Sequence, residues 1–390
     1  MYSSSMMARA VCLLLIALRL SLLAAASYNV VDYGAVADGR TDSAKAFLAA
    51  WSAACAANKP ASMYVPAGRF MVGQATFQGP CNNSAIRVFI AGTLVAPSGY
   101  TAAANWLRFK YVNGLSVLGG IIDGRGQAFW ACKKAGRSCP QGATSLAIAL
   151  STNVVIRGLA SHNSEVFHLS IFASSGVKIQ GANIIAPGDS PNTDGIHIQK
   201  STDVSVVSTV IKTGDDCISM GEGTSNVWIE KIHCGPGHGI SIGSLGATPS
   251  ETRVQNITVT AVTFSGTQNG LRIKTWGKPN GGSVEGVTFS HAVMQNVGYP
   301  IVVDQNYCPG NVDCPGQSSG IRISQVSYMD IQGSSATPVA VKFDCSPTNP
   351  CRGLDLRDIK LTYLGNKQAE AYCKNAQGSA AGTMNPPSCI

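Results

Sequence analysis

From about Ser145 onward the chain repeats two short strand patterns that stay in step with one another. The first runs through Ala147-Ile148-Ala149-Leu150, His168-Leu169-Ser170-Ile171, Gly195-Ile196-His197-Ile198, Cys217-Ile218-Ser219-Met220, Gly239-Ile240-Ser241-Ile242 and Gly270-Leu271-Arg272-Ile273. Aligned on Ile148, Leu169, Ile196, Ile218, Ile240 and Leu271, its steps are 21, 27, 22, 22 and 31 residues. The second sets a small or polar residue before each strand: Asn153-Val154, Gly176-Val177, Asp203-Val204, Asn226-Val227, Asn256-Ile257 and Gly286-Val287, with steps of 23, 27, 23, 30 and 30. Matched, slightly elastic periods are what stacked rungs of a coil produce. A β-sandwich also contains many short strands, but nothing in it holds two series in phase through six turns. The pattern predicts an all-β chain: a single-domain right-handed parallel β-helix. Alternation puts Ile196/Ile198, Ile218/Met220 and Ile240/Ile242 inside and their neighbours outside.

Such a solenoid exposes its core at the ends. Thr41 to Ala56 reads as one helix, with Ala46, Phe47, Ala50, Trp51 and Ala54 as its apolar stripe, placed to cap the N-terminal end. Residues 366–390, containing Gly, Ser, Pro and two Cys, read as a disulfide-stapled tail. Only 13% of residues are charged against 45% apolar, about half the charge of an average globular chain (roughly 25%). That balance excludes disorder.

Residues 1–26 read as a signal peptide: Arg9 supplies the positive flank, Val11 to Leu18 the apolar stretch, and Ala24-Ala25-Ala26 a cleavage site. Arg19 interrupts the run, and no second segment long enough to span a membrane follows. The expected mature chain, 27–390, is then secreted and free of the membrane. Losing Arg9 and Arg19 lowers the formal charge from +8 to +6 (8 − 2). Of 13 Cys, Cys12 leaves with the leader. The remaining even set reads as disulfides in an oxidising compartment. Their connectivity stays open, though pairing neighbours would make six short staples. Asn82 and Asn256 head N-glycosylation sequons.

The constant spacing also stacks chemistry. Asp194, Asp216 and His238 each precede an inward residue by two and lie 22 apart. They should fall on consecutive rungs about 4.8 Å apart, with Asp215 beside Asp216. Crowded carboxylates raise the pKa of at least one member. An acid for the leaving oxygen and a carboxylate to activate water are what glycosidic-bond hydrolysis needs. A single Asp here would merely turn the chain; the column asks for more. One rung on, Arg272 and Lys274 alternate with Leu271 and Ile273 and point outward, suiting a clamp for an anionic substrate. Tyr307 follows the next rung and suits stacking on a sugar.

Asn192-Thr193-Asp194, Gly214-Asp215-Asp216, Gly237-His238-Gly239 and Arg272-Ile273-Lys274 resemble, in order and spacing, the four signature motifs of the polygalacturonase family of glycoside hydrolases. The resemblance extends to Tyr33-Gly34-Ala35 and Gly120-Ile121-Ile122-Asp123-Gly124, and so over essentially the whole mature chain. It implies hydrolysis of α-1,4-galacturonan with inversion, no cofactor and no metal, on a homogalacturonan partner, by a secreted monomer of the cell wall. It also implies roles: Asp215 as general acid, Asp194 and Asp216 holding the attacking water, and His238 tuning the acid. Arg272 and Lys274 would bind galacturonate carboxylates, and Tyr307 would line the subsite. Through Asp304-Gln305-Asn306-Tyr307-Cys308 and the Cys-rich end the chain is similar to plant, pollen-type, exo-acting members.

Other readings are an endo-acting enzyme, a calcium-dependent pectate lyase with Asp194, Asp215 and Asp216 as ligands, and a catalytically silent wall-binding solenoid. Nucleic acid is not an expected partner: no basic run or aromatic ladder accompanies the mild positive charge.

Overall fold

Ile196, Ile198, Ile218, Met220, Ile240 and Ile242 are completely buried, as alternation requires when one face of each short strand lines a continuous core. Burying each such side chain contributes about 1.5–3 kcal/mol. The computed structural model describes residues 26–99, 103–249, 252–364 and 366–390; apart from Ala26, the expected leader lies outside them. The architecture is the expected right-handed parallel β-helix. One wall is an eleven-stranded sheet in sequential order. Its strands are β1 (Ala75–Gln78), β2 (Asn105–Lys110), β3 (Thr144–Ala149), β4 (Leu169–Phe172), β5 (Ile196–Gln199), β6 (Ile218–Met220), β7 (Ile240–Leu245), β8 (Asn269–Trp276), β9 (Tyr299–Tyr307), β10 (Val339–Asp344) and β11 (Glu370–Lys374). A second, twenty-stranded sheet forms the rest of the wall.

The second repeat series holds residue for residue: Val154, Val177, Val204, Val227, Ile257 and Val287 are in direct parallel register. The residue before each has a positive φ, from 54° at Asn153 to 65° at Gly286. A left-handed corner recurs on every rung there, which is why the position takes Gly, Asn or Asp. Where Asn recurs, the side chains add a ladder: Asn256 Nδ2 donates to Asn226 Oδ1 (2.8 Å), and Asn226 Nδ2 to Asp203 Oδ1 (3.1 Å). The first series holds from Leu169 on, but its first member needs correction. Leu146, not Ile148, pairs with Leu169, and Ile148 pairs with Ile171. All four residues are apolar and inward, so a shift of two preserves the pattern and hides the error.

Helix α1 (Ala44–Ala56) is shorter than expected. Thr41 and Asp42 belong to a strand, Asp38–Asp42, and the Asp42 carboxylate accepts from the Ala44 and Gly73 amides at the helix start. The expected stripe is buried: Phe47 meets Phe70 edge-on at 6.0 Å, and Trp51 meets Phe77 and Phe109 at 5.6 and 5.3 Å. The helix thus seals the apolar end of the coil. A second helix, α2 (Gln127–Lys134), was not anticipated.

The stretch 366–390 does more than trail. β11 pairs with β10, and Ala376–Asn385 pairs with Cys351–Tyr363, adding a further rung. Its small, polar residues conceal this, because an end rung has little core to cover. Among the described residues six disulfides join sequence neighbours: Cys55–Cys81, Cys132–Cys139, Cys217–Cys234, Cys308–Cys314, Cys345–Cys351 and Cys373–Cys389. Both sequon asparagines are exposed; the Asn82 amide donates to Ala56 O (2.9 Å) at the end of α1. Among the described residues no helix is long and apolar enough to cross a membrane.

Candidate active site

The outward positions of the eleven-stranded sheet form a continuous floor. His197 (β5), Ser219 (β6), Ser241 (β7), Arg272 (β8), Val302 (β9) and Lys342 (β10) are in direct register. The acids sit in the turns that feed β5 and β6. Those turns stack tightly: Thr193 Oγ1 accepts from the Gly214 amide (2.9 Å), one rung away. A Cβ on Gly214 would lie 2.0 Å from Ser190 O, so no side chain fits between these turns. Gly239, at φ 95°, directly follows His238, whose imidazole reaches Asp215.

The three carboxylates occupy different environments. Asp216 is almost completely buried and neutralised: Arg272 Nη2 donates to Oδ1 (2.6 Å), Lys274 Nζ to Oδ2 (2.7 Å), and Ser241 to Oδ1 (2.9 Å). Burial opposes its charge, but the two cations overcome this and hold its pKa below the usual carboxylate range. Asp194 is the group driven upward: burial first, then the charges of Asp215 and Asp216, hold its pKa well above the ordinary value. The expected raised carboxyl is therefore present, at Asp194. Asp215 is half-buried. Its Oδ1 accepts from the Asp216 amide (2.8 Å) and faces His238 Nδ1 (2.9 Å); both contacts fall on one oxygen.

Arg272 and Lys274 do point outward beside the column, but they are not solvated: they are 8% and 6% exposed, and Asp216 already engages both. Two cations thus share one carboxylate on the cleft floor. Tyr307 lies close by, with Lys274 Nζ 5.2 Å from its ring centre and Trp276 packed edge-on at 5.5 Å.

Two cavities meet at this point. One of about 350 Å³ is lined by Asp194, Asp216, His197, Ser219, Lys274 and Phe167 among others. The other, about 450 Å³, is lined by His238, Arg272, Asn269, Tyr299, Asp304 and Lys342 among others. Asn192, Asp215 and Tyr307 belong to both. An elongated ligand lying along the floor would pass Asp215 midway.

His197, Ser219 and Ser241 were legible only as outward neighbours of core residues; nothing in the sequence showed that Ser219 bonds Asp194, that Ser241 bonds Asp216, or that His197 bonds Ser219. Asp304, facing Lys274 across the register, is another addition, its carboxyl pushed up by burial. Asp215, Asp216 and His238 bring one donor atom each within 4.8 Å of one another. They fit a cation poorly: Asp216 already holds two cationic side chains, and Ca²⁺ asks for six to eight oxygens.

Residues 55–385 match the family model described as glycosyl hydrolases family 28. A polygalacturonase of Prunus persica is 56% identical over 368 residues, covering 93% of each chain. An exopolygalacturonase of Platanus acerifolia is 40% identical over 367 residues, 92% of this chain and 96% of the other. Among solved structures, an endo-xylogalacturonan hydrolase from Aspergillus tubingensis superposes with a TM-score of 0.79 at 22% identity, covering 92% of this chain and all of that one. An exopolygalacturonase from Thermotoga maritima does so at 0.76 and 17%, covering 93% and 92%. By the reach of the family model and these identities, the chain belongs to glycosyl hydrolases family 28.

Proposed function

We propose that this protein is a secreted polygalacturonase that cleaves the α-1,4 linkages of homogalacturonan by exo-acting, inverting hydrolysis. The observation that carries the reading is the position of Asp215, at the junction of two cavities with Asp194 and Asp216 beside it. A sugar in each cavity sets the bridging oxygen against Asp215, which donates the proton through Oδ2, the oxygen free of its neighbours. Asp194 and Asp216 hold the attacking water on the other side, Asp216 as a lasting anion and Asp194 as the base. His238 shares a proton with Asp215 and so tunes the acid. Arg272 and Lys274 supply the positive charge that receives a galacturonate carboxylate, with Tyr307 against the ring.

Exo action rests on the exopolygalacturonase among the relatives and on the Asp304–Cys308 stretch. The same reading has the chain acting outside the cell as a monomer, with the exposed Asn82 and Asn256 as candidate glycan sites. The test is a time course of products from polygalacturonate in EDTA, resolved by size and checked for unsaturated ends. Saturated monomer from the earliest points is expected. Mixed saturated oligomers would make it endo-acting, and unsaturated ends would make it a lyase.

A further inference from the structure

Asp194 is held from beneath by two residues that the four motifs do not contain. Ser219 Oγ lies 2.6 Å from Asp194 Oδ2, and His197 Nδ1 lies 2.8 Å from Ser219 Oγ. Phe167 stacks on the imidazole at 4.6 Å between ring centres, fixing its plane. All three polar groups line the same cavity. Asp215, Asp216 and Lys274 face Asp194; Gln199 hydrogen-bonds the His197 side chain, which Asp216 and Lys274 also face. Burial keeps His197 neutral, its pKa lowered to about 4.

We propose that Ser219 and His197 are positioning residues for Asp194 and form the path by which it sheds the proton taken from water. The proposal rests on the reading of Asp194 as base. A serine hydroxyl has one proton, so it can donate in only one direction at a time. When Asp194 is ionised, Ser219 donates to it and accepts from His197 Nδ1–H. When Asp194 is protonated, it donates to Ser219, Ser219 donates to Nδ1, and the imidazole proton sits on Nε2. The charged and the neutral carboxyl thus both keep the hydrogen bond at Oδ2, and the His197 tautomer follows the state of Asp194. After turnover the acid form resets in one shift. The Asp194 proton passes to Ser219 Oγ, the Ser219 proton to Nδ1, and the Nε2 proton to water in the cleft. The products are a carboxylate, a neutral Nδ1–H imidazole and hydronium. No electrons change hands.

The tautomer is read directly by nitrogen NMR of the full chain across pH, with no substrate. A change from Nε2–H at low pH to Nδ1–H at high pH, abolished in Ser219→Ala, is expected; one tautomer throughout would overturn the proposal. Kinetics give a second reading. Ser219→Ala should keep the wild-type melting temperature and a KM within about twofold. It should lose about tenfold or more in kcat, with the acidic limb of kcat/KM moved to higher pH. Ser219→Thr should restore both. A Ser219→Ala profile like wild type, or a loss confined to KM, would overturn it. Wild type inactive on galacturonan would sink the functional reading instead, and the NMR result would still decide the hydrogen-bonded path.

Discussion

His238 hydrogen-bonds Asp215, although the 22-residue spacing that pairs Ile218 with Ile240 would set it opposite Asp216. Both its amide (to Asp215 O, 2.8 Å) and its Nδ1 (to Asp215 Oδ1, 2.9 Å) reach the same residue. Asp216 is unavailable: its carboxylate is filled by Arg272, Lys274 and Ser241. Two adjacent aspartates are thereby separated in chemistry, one paired with two cations and one paired with an imidazole.

Replacing Asp215 should therefore remove chemistry and spare the fold. Asp215→Asn is expected to lower kcat by about 10³-fold or more while retaining oligogalacturonate binding and the wild-type melting temperature. Near-normal turnover would dismiss Asp215 as the acid.

Lys274 should behave differently from an ordinary substrate-binding cation. Lys274→Ala is expected to raise KM. It also leaves Asp216 buried with Arg272 and Ser241 as its remaining partners, so the loss should be smaller than the about 3–5 kcal/mol of a buried charge left without any partner. Urea unfolding should show that loss, and the Lys274→Ala/Asp216→Asn double variant should recover part of it. Independent, additive losses would mean that the pair is not coupled.

Asp194 predicts a pH-dependent stability of defined sign. Its folded pKa lies above its unfolded value of about 3.8. Its stabilising contribution is full below pH 3.8 and declines as pH rises through the folded pKa, where an ionised carboxylate must stay buried. Asp194→Asn should therefore melt higher than wild type at neutral pH, with the gap closing toward pH 3.8. Asp216, with its pKa lowered, has the opposite sign: its contribution is lost as pH falls below 3.8 toward its folded value. A constant gap between wild type and Asp194→Asn across pH would contradict the assignment.

Metal removal should change little. The clustered donors are committed to Arg272, Lys274 and His238, so activity on polygalacturonate in EDTA is expected within about twofold of that with added calcium. Dependence on calcium would require Asp216 to exchange its cations for the metal.

The strand repeat was readable because a solenoid writes its register into sequence spacing: each rung must return an apolar residue to the same core position. That physics made the β-helix, the second series and the column of Asp194, Asp216 and His238 legible. It failed where the signal is degenerate. Ile148 and Leu146 are equally apolar, so the first rung slipped by two. The last rung, with small residues and little core, read as a tail.

The sequence by itself determined the coil, the face on which the acids, Arg272 and Lys274 meet, and the number of residues between rungs, because local alternation and period depend on neighbouring residues alone. Only the tertiary structure decided the partners on that face. It directed Arg272 and Lys274 to Asp216, His238 to Asp215, and the Ser219–His197 pair to Asp194. Those choices depend on side-chain reach between rungs 22 to 31 residues apart and on the burial each rung imposes on the next, and neither quantity is carried by the order of residues along a strand.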